Sequence, residues 1–477
     1  MPSTLSKLEI LSIYEALAGL RLSGMIAIFI YYCFVFVLLL VLWPFLLLKK
    51  KARAGLGQKL GFIPRAIRAK GEALSGCVWF HAVSVGEFNA ILPLVNAFAA
   101  RHPVVPLVVS TTTATGHKLA QEKASDLATV IYFPLDLPGP VTAWLKLLKP
   151  RLVVIAETEI WPGFTHVCKK RGVKVMVVNG RISPRSFKSY YRFRVFFRSV
   201  LNRFSVIGVQ SPAEAKRYFA VGGDQLNVEV LGNIKFDGLK PIAAQVKDDL
   251  RSLLHLPDDA PVLVAGSTHE GEELCVLKAY CQLLDTTYGA GAKLIIVPRH
   301  PERFEKVADL IKDYEFGPRR YSASEGFTPG AKGEVYLLDV IGKLFDFYSL
   351  ATVAFVGGTL APIGGHNIME PYAYAVPVVV GPRTEKVKDL MAALTAREAI
   401  LQGKNEKAII TCILSYFENQ EQRSAAGLAG EEILIKSQGA VSKALDLIER
   451  QLAAERGDAE VIGVISSASS AIGETAK

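Results

Sequence analysis

The chain has 477 residues, more than one hydrophobic core usually serves, so two globular domains are expected. Half of the residues are hydrophobic and the mean hydropathy is +0.28, high for a purely soluble protein, while a charged fraction of 21% excludes a disordered chain. A net charge of +10 points to an anionic partner, either nucleic acid or anionic lipid, and the six scattered cysteines exclude a disulfide framework and a C-x-x-C zinc site.

After a leader (residues 1–24), residues 25–48 read MIAIFIYYCFVFVLLLVLWPFLLL without a charge. About 20 apolar residues cross roughly 30 Å of hydrocarbon, so this run is long enough to span a bilayer. Lys49, Lys50, Lys51 and Arg53 follow it, where a cleaved signal peptide would have a small-residue processing site. Basic flanks collect on the cytoplasmic side, and only Lys7 and Arg21 precede the run. The expectation is a single transmembrane helix with the N-terminus outside and everything after it inside. Tyr31, Tyr32 and Trp43 suit an interface, and Pro44 a kink in the last turn.

Short apolar runs then alternate with helix-length stretches. Strands are expected at 78–82, 104–110, 130–133, 152–156, 173–178, 206–210 and 228–231, with helices at 87–100, 115–124, 141–148 and 212–220 between them. The alternation pauses over 240–261 and resumes with strands at 262–265, 293–297, 335–338, 353–356 and 376–380. Continuous Val/Ile/Leu strands separated by helices mark parallel sheets covered on both faces. The fold class is therefore α/β with two Rossmann-like domains, 49–239 and 262–453, a linker over 240–261 and a small polar tail over 454–477 that reads as disordered.

Ligands of open parallel sheets bind beyond the carboxyl ends of the strands. The loop after 78–82 reads VSVGEFNA, in which Glu87 is either a helix-terminal acid or a general base. The loop after 152–156 is ETEIWP, carrying Glu157 and Glu159, one of which serves only as a cap. In the second half, PRHPE puts Arg299 and His300 at a strand end, a combination suited to phosphate. The loop GGTLAPIGGHNIMEP offers glycines for close backbone approach to a ligand, then Asn367 and Glu370 at the next helix start, Glu370 suited to ribose hydroxyls.

The chain lacks a G-x-x-x-x-G-K-[ST] loop and a G-x-G-x-x-G after its first strand, which disfavours a P-loop ATPase or an NAD-linked dehydrogenase. It lacks a D-x-D at a strand end, which disfavours a sugar-diphosphate donor held through a metal. Between Ile160 and Ala213 there is no acid, only cations such as Lys169, Arg185, Arg194 and Arg203 among aromatics. Beside an apolar anchor that stretch fits anionic lipid better than nucleic acid.

The motifs HAVSVGEFNA, STTTATG, AETEIWP, NGRIS, GNIKFD, STHEGEE, PRHPERF, DVIGKL and FVGGTLAPIGGHNIMEP, in this order, resemble the Kdo transferases of lipopolysaccharide assembly. That family transfers 3-deoxy-D-manno-octulosonic acid (Kdo) from CMP-Kdo to a lipid A precursor and has the two-domain GT-B fold. The resemblance runs from about residue 53 to 447. It implies Glu87 as the base that deprotonates the acceptor hydroxyl, and Glu157 and Lys235 as transition-state stabilisers. Arg299, His300, Ile341, Gly342, Lys343, Asn367, Ile368, Met369 and Glu370 fall at its CMP-binding positions. Lys343 stands where some members carry an acid, which leaves a backbone contact there. The resemblance also implies a lipid acceptor at the cytoplasmic face of the inner membrane, and no metal or other cofactor. Rival readings are a lipid disaccharide synthase or epimerase of the same fold, or a non-catalytic, membrane-tethered nucleotide-binding scaffold.

Overall fold

The computed structural model describes residues 25–41, 53–257, 259–323 and 330–456. The leader, residues 42–52 with Trp43, Pro44 and Lys49 to Lys51, and the tail from 457 lie outside the described residues.

Two compact units make up the chain, one of Met1–Asp237 with Gly439–Lys477, the other of Gly238–Gln438. The first holds a seven-stranded parallel sheet of β1 (Val78–His81), β2 (Leu107–Thr111), β3 (Thr129–Tyr132), β4 (Leu152–Ala156), β5 (Lys174–Gly180), β6 (Val206–Val209) and β7 (Val228–Val230), in the order β3-β2-β1-β4-β5-β6-β7. The second holds β8 (Val262–Thr268), β9 (Lys293–Pro298), β10 (Gly317–Arg320), β11 (Glu334–Leu337), β12 (Val353–Val356), β13 (Val378–Val380) and β14 (Ile400–Gln402), in the order β10-β11-β9-β8-β12-β13-β14. Each first strand, β1 or β8, has its early successors on one side and a later crossover on the other. Every sheet therefore has a switch point beside its first strand, where strand-end loops diverge and leave a crevice.

Central strands are buried on both faces, which explains their unbroken apolar runs. In β1, Val78 and Phe80 face one core layer while Trp79 faces the other. β10 (GPRR) and β14 (ILQ), absent from the sequence expectation, are edge strands. An edge strand pairs on one side only, so it need not be apolar and escapes a search for Val/Ile/Leu runs.

Two domain boundaries need correction. The segment expected as a linker contains the helix Ala244–Leu253 and contributes buried Leu250, Leu254 and Leu256 to the second unit, with the Tyr336 hydroxyl bonded to the Leu254 carbonyl. The last helix, Ala440–Arg456, belongs to the first unit, although the sequence expectation carried the second domain to 453. Its Ala440, Ala444, Leu447, Ile448 and Leu452 recur at helical spacing and join the core layer of Ile91, Leu94 and Phe98. Each buried Leu or Ile there is worth about 1.5–3 kcal/mol. Asp237 caps this helix across the sequence gap by accepting the amides of Gly439, Ala440 and Val441.

The described part of the apolar run is helical over 25–41, and among the described residues no helix is long and apolar enough to cross a membrane. One side of it packs on the first unit. Ile28 is buried, the Tyr31 hydroxyl donates to Asp136 at 2.6 Å, and the Tyr32 and His166 rings meet edge to face. Phe29, Phe34, Phe36 and Leu40 are exposed. Asp136 also accepts the amides of Gly163 and Phe164 and so caps the helix Pro162–Lys170 from another loop.

Candidate functional site

Each unit carries its own group of residues at its switch point. In the first, Glu87 sits in the loop and helix start after β1, and Glu157 directly after β4, the neighbouring strand. Glu87 is the third residue of the helix Val85–Arg101 and forms a capping box with Ser84. Its Oε2 accepts the Val83 amide at 2.6 Å and the Ser84 amide at 3.4 Å. The helix-terminal role and a chemical role are thus compatible: one carboxylate oxygen is fixed by backbone, which orients the other. Burial above all, with the Glu157 charge adding, raises the proton affinity of Glu87, while the backbone amides and Lys235 oppose the rise.

Glu157 has a left-handed backbone (φ 57°), uncommon for a non-glycine residue, and its amide bonds to the Val178 carbonyl. Its Oε1 pairs with Lys235 Nζ at 2.7 Å. Lys235 lies in the short helix Ile234–Asp237, which is tied down at both ends. Asn179, at the end of β5, accepts the Ile234 amide, and Asp237 grips the last helix. The NGRIS and GNIKFD motifs therefore hold the lysine against Glu157. Glu159 is pushed up to about 7 by burial, then by the charges of Glu87 and Glu157. It is about half protonated at neutral pH, where an ordinary carboxylate is ionised, a property invisible in its sequence position.

His81, at the end of β1, is fully buried, stacks on Phe133 at 3.7 Å, and bonds through Nδ1 to the Ser110 hydroxyl at 2.9 Å. Burial lowers its pKa to about 3, so it is neutral. The basic stretch forms the helices Pro184–Arg192 and Arg194–Leu201, with Tyr191, Phe193 and Val195 exposed. Two of its cations serve the fold instead: Arg203 donates to the Pro162 carbonyl at 2.8 Å, and Lys174 to the Gln451 carbonyl at 2.9 Å.

In the second unit Arg299 and His300 follow β9 and are exposed. Ile341 and Gly342 are exposed beyond β11, and Lys343 pairs loosely with Asp346 at 3.5 Å. Asn367 donates to Glu370 Oε1 at 3.0 Å and accepts the Met369 amide, while Ile368 and Met369 are buried in the core. Burial raises the proton affinity of Glu370, opposed by the Asn367 bond and then by Arg299. Glu370 precedes only a short 3-10 turn, Pro371–Tyr374, not the helix expected there.

In the glycine-rich loop after β12 the amides of Gly358 to Ala361 are taken by a buried carboxylate. Glu272, fully buried at the start of the helix Glu272–Leu284, accepts the amides of Thr359, Leu360 and Ala361 on Oε1 and those of Gly358 and His269 on Oε2. A side chain on Gly357 would lie 2.4 Å from the Ser267 carbonyl oxygen, so this glycine is required by contact with the neighbouring strand end. Glu272 and His269 lie within the STHEGEE motif, but no local signal assigns them to a loop about ninety residues away.

Residues 54–238 match the family described as 3-deoxy-D-manno-octulosonic-acid transferase (kdotransferase). The chain is 33% identical over 377 residues to the 3-deoxy-D-manno-octulosonic acid transferase of Haemophilus influenzae, covering 79% of this chain and 87% of that one. It is 29% identical over 432 residues to that of Chlamydophila psittaci, covering 89% and 96%. A glycosyltransferase structure from Rickettsia africae, 12% identical, aligns over 79% of this chain and 99% of its own with a TM-score of 0.56. That likeness speaks to fold alone: two parallel-sheet α/β domains similar to GT-B glycosyltransferases. By its identity to the Haemophilus enzyme over most of both chains, this chain is a glycosyltransferase belonging to the Kdo transferase family.

Proposed function

We propose that this enzyme transfers Kdo from CMP-Kdo to a hydroxyl of a lipid A precursor at the cytoplasmic face of the inner membrane. The observation that carries the reading is Glu87, a carboxylate of raised proton affinity with one oxygen fixed by backbone, within the field of the Glu157–Lys235 pair. Glu87 takes the proton of the acceptor hydroxyl as its oxygen bonds to the anomeric carbon of the donor, and the bonding pair to the phosphate oxygen leaves with CMP. Lys235, held by Glu157, offsets charge in the transition state. Arg299, His300, Asn367, Glu370 and the exposed Ile341–Gly342–Lys343 backbone are the proposed contacts to CMP. CMP carries one phosphate, so these side chains suffice without a metal, and chelator should leave turnover unchanged.

The deciding experiment is mass spectrometry of a lipid A precursor incubated with the enzyme and freshly made CMP-Kdo. A mass gain of one or more Kdo units is expected. An unchanged precursor, or transfer from a UDP-sugar instead, overturns the reading. Thermal protection by CMP but not by UDP separates it from an epimerase or a disaccharide synthase of the same fold.

Residues 25–48 are the proposed single-pass anchor, N-terminus outside, with both units in the cytoplasm. The docking of Ile28, Tyr31 and Tyr32 on the first unit favours a second reading of this segment. A helix held to that unit so early in the run lies along the membrane surface, with Phe29, Phe34 and Phe36 toward the lipid. Alkaline phosphatase fused before Met25 is active in the first arrangement and inactive in the second; fused after Lys477 it is inactive in both, and activity there refutes both.

A further inference from the structure

Three imidazoles meet at the switch point of the second sheet. His269 follows β8, His300 follows β9 and His366 closes the glycine-rich loop after β12, and β9, β8 and β12 are consecutive neighbours. His269 Nε2 lies 2.8 Å from His366 Nε2, and the two rings are 5.1 Å apart and nearly coplanar at 6°. His300 meets His269 edge to face at 5.3 Å. The pair is built into the fold: the Glu272 carboxylate holds the His269 amide, and Gly358 leaves the space that His366 fills, since a Cβ there would lie 2.7 Å from the ring.

A contact between two Nε2 atoms constrains the protons. One ring must donate and the other accept, so two neutral rings share one N–H and keep one Nδ1 lone pair. Adding one proton at that Nδ1 preserves the bridge, places a positive charge on the pair and makes both Nδ1 atoms donors. Adding a second sets two N–H groups head to head and breaks it. The pair is thus arranged to carry one charge, and only when an anion stabilises that charge.

The groups around it favour an anion. Arg299, His300 and Lys386 act on the rings, Glu272 lies against His269, and Arg303 beside it is paired with Glu273; Glu370 lies near Arg299, and Glu385 next to Lys386. Glu272 is engaged by five amides, Glu273 by Arg303 at 3.0 Å, and Glu370 by Asn367. Burial above all lowers both imidazoles, His366 to about 4; Glu272 opposes the fall at His269, His269 itself adds to it at His366, and Arg299 adds to it at both, so the pair is neutral at neutral pH without ligand.

We propose that His269 and His366 form a proton-coupled recognition site for an oxyanion of the donor, taking up one proton from solvent as the oxyanion binds. The proposal rests on the reading that the second unit binds a CMP-sugar acid, which supplies two such groups, the phosphate and the sugar carboxylate. Both residues are positioning and specificity residues rather than the reacting base.

Calorimetry of the full chain with CMP and with cytidine, in buffers of different ionisation enthalpy between about pH 5 and pH 8, tests it. If the phosphate is the target, CMP binding takes up a proton and weakens as pH rises, approaching about tenfold per unit at the steepest. His366→Gln then abolishes that uptake and weakens CMP but not cytidine. If the carboxylate is the target, CMP binding is unchanged in the variant while KM for CMP-Kdo rises and loses its pH dependence. His269→Asn repeats the measurement should the first variant fold poorly. Wild-type binding of CMP without linked proton uptake, together with an unchanged pH profile of KM for CMP-Kdo, overturns the proposal and leaves the nucleotide reading intact. No binding of CMP by the wild type overturns both.

Discussion

The two sheets share a plan and differ in what they place at the same point of it. Beside β1 the strand-end loops bring together Glu87, Glu157 and Glu159 with one lysine; beside β8 they bring Arg299 and three histidines, with the nearby acids engaged internally. Crowded carboxylates raise one another's proton affinity, which suits accepting a proton at neutral pH. Crowded cations and neutral imidazoles attract an oxyanion. A switch-point crevice is thus chemically blank, and the loop residues decide whether it removes protons or binds phosphate.

The largest test of that contrast is Glu87→Gln. The amide keeps the capping box but cannot accept the proton, so turnover should fall by at least about a hundredfold, roughly 2.7 kcal/mol in the barrier. CMP affinity and melting temperature should hold. Near-normal turnover with a small stability loss would reduce Glu87 to a helix cap.

Lys235→Met should lower turnover by about ten- to a hundredfold, roughly the worth of one charge-stabilising donor. It should also shift the pH profile. Lys235 lowers the proton affinity of Glu87, so removing it raises that affinity, and the acid limb of kcat/KM moves to higher pH. An unmoved limb would uncouple the two residues.

In the second unit, Glu370→Ala should weaken CMP binding by about 1–3 kcal/mol, the loss for charged hydrogen bonds left unmade, with kcat little changed at saturating donor. Unchanged calorimetric affinity would favour a purely structural role for its bond to Asn367.

Glu159 tests the crowding itself through stability. Its folded-state pKa of about 7 exceeds the ordinary carboxylate value, so the native state binds more protons than the unfolded state between about pH 4.5 and about pH 7. Stability must therefore fall as pH rises through that window. Glu159→Gln should flatten the fall, and denaturant midpoints across the window measure it. The smallest expected effect is at Asp237, where Asp237→Ala removes the cap of the last helix and should cost about 1 kcal/mol, up to about 2.

The residues named from sequence as catalytic and CMP-binding candidates lie in segments that follow parallel strands, some directly, as Glu157 and Arg299 do, and Asn367 to Glu370 further along the loop after β12. Their roles were less legible. Glu87 is both cap and candidate base, because a capping box engages a single carboxylate oxygen. Lys343 is exposed and paired with Asp346, whereas Ile368 and Met369 are buried in the core. Glu272, Asn179 and Asp237 escaped notice because each acts on backbone far along the chain: Glu272 on Gly358 to Ala361, Asn179 on Ile234, Asp237 on Gly439 to Val441.

What the sequence determined by itself is the pair of parallel sheets and the loops at their ends. A strand buried on both faces must be apolar throughout, so composition betrays it. Tertiary structure alone decided the rest. Nothing local makes β10 or β14 a strand except the neighbour that pairs with it, and the last helix joins the first unit because its Ala440, Ala444 and Ile448 fit a layer built about three hundred and fifty residues earlier. The His269–His366 contact exists because β8 and β12 are neighbours in the sheet. Hydrogen bonds and apolar packing act over a few ångströms, and folding alone brings those distant segments within that range.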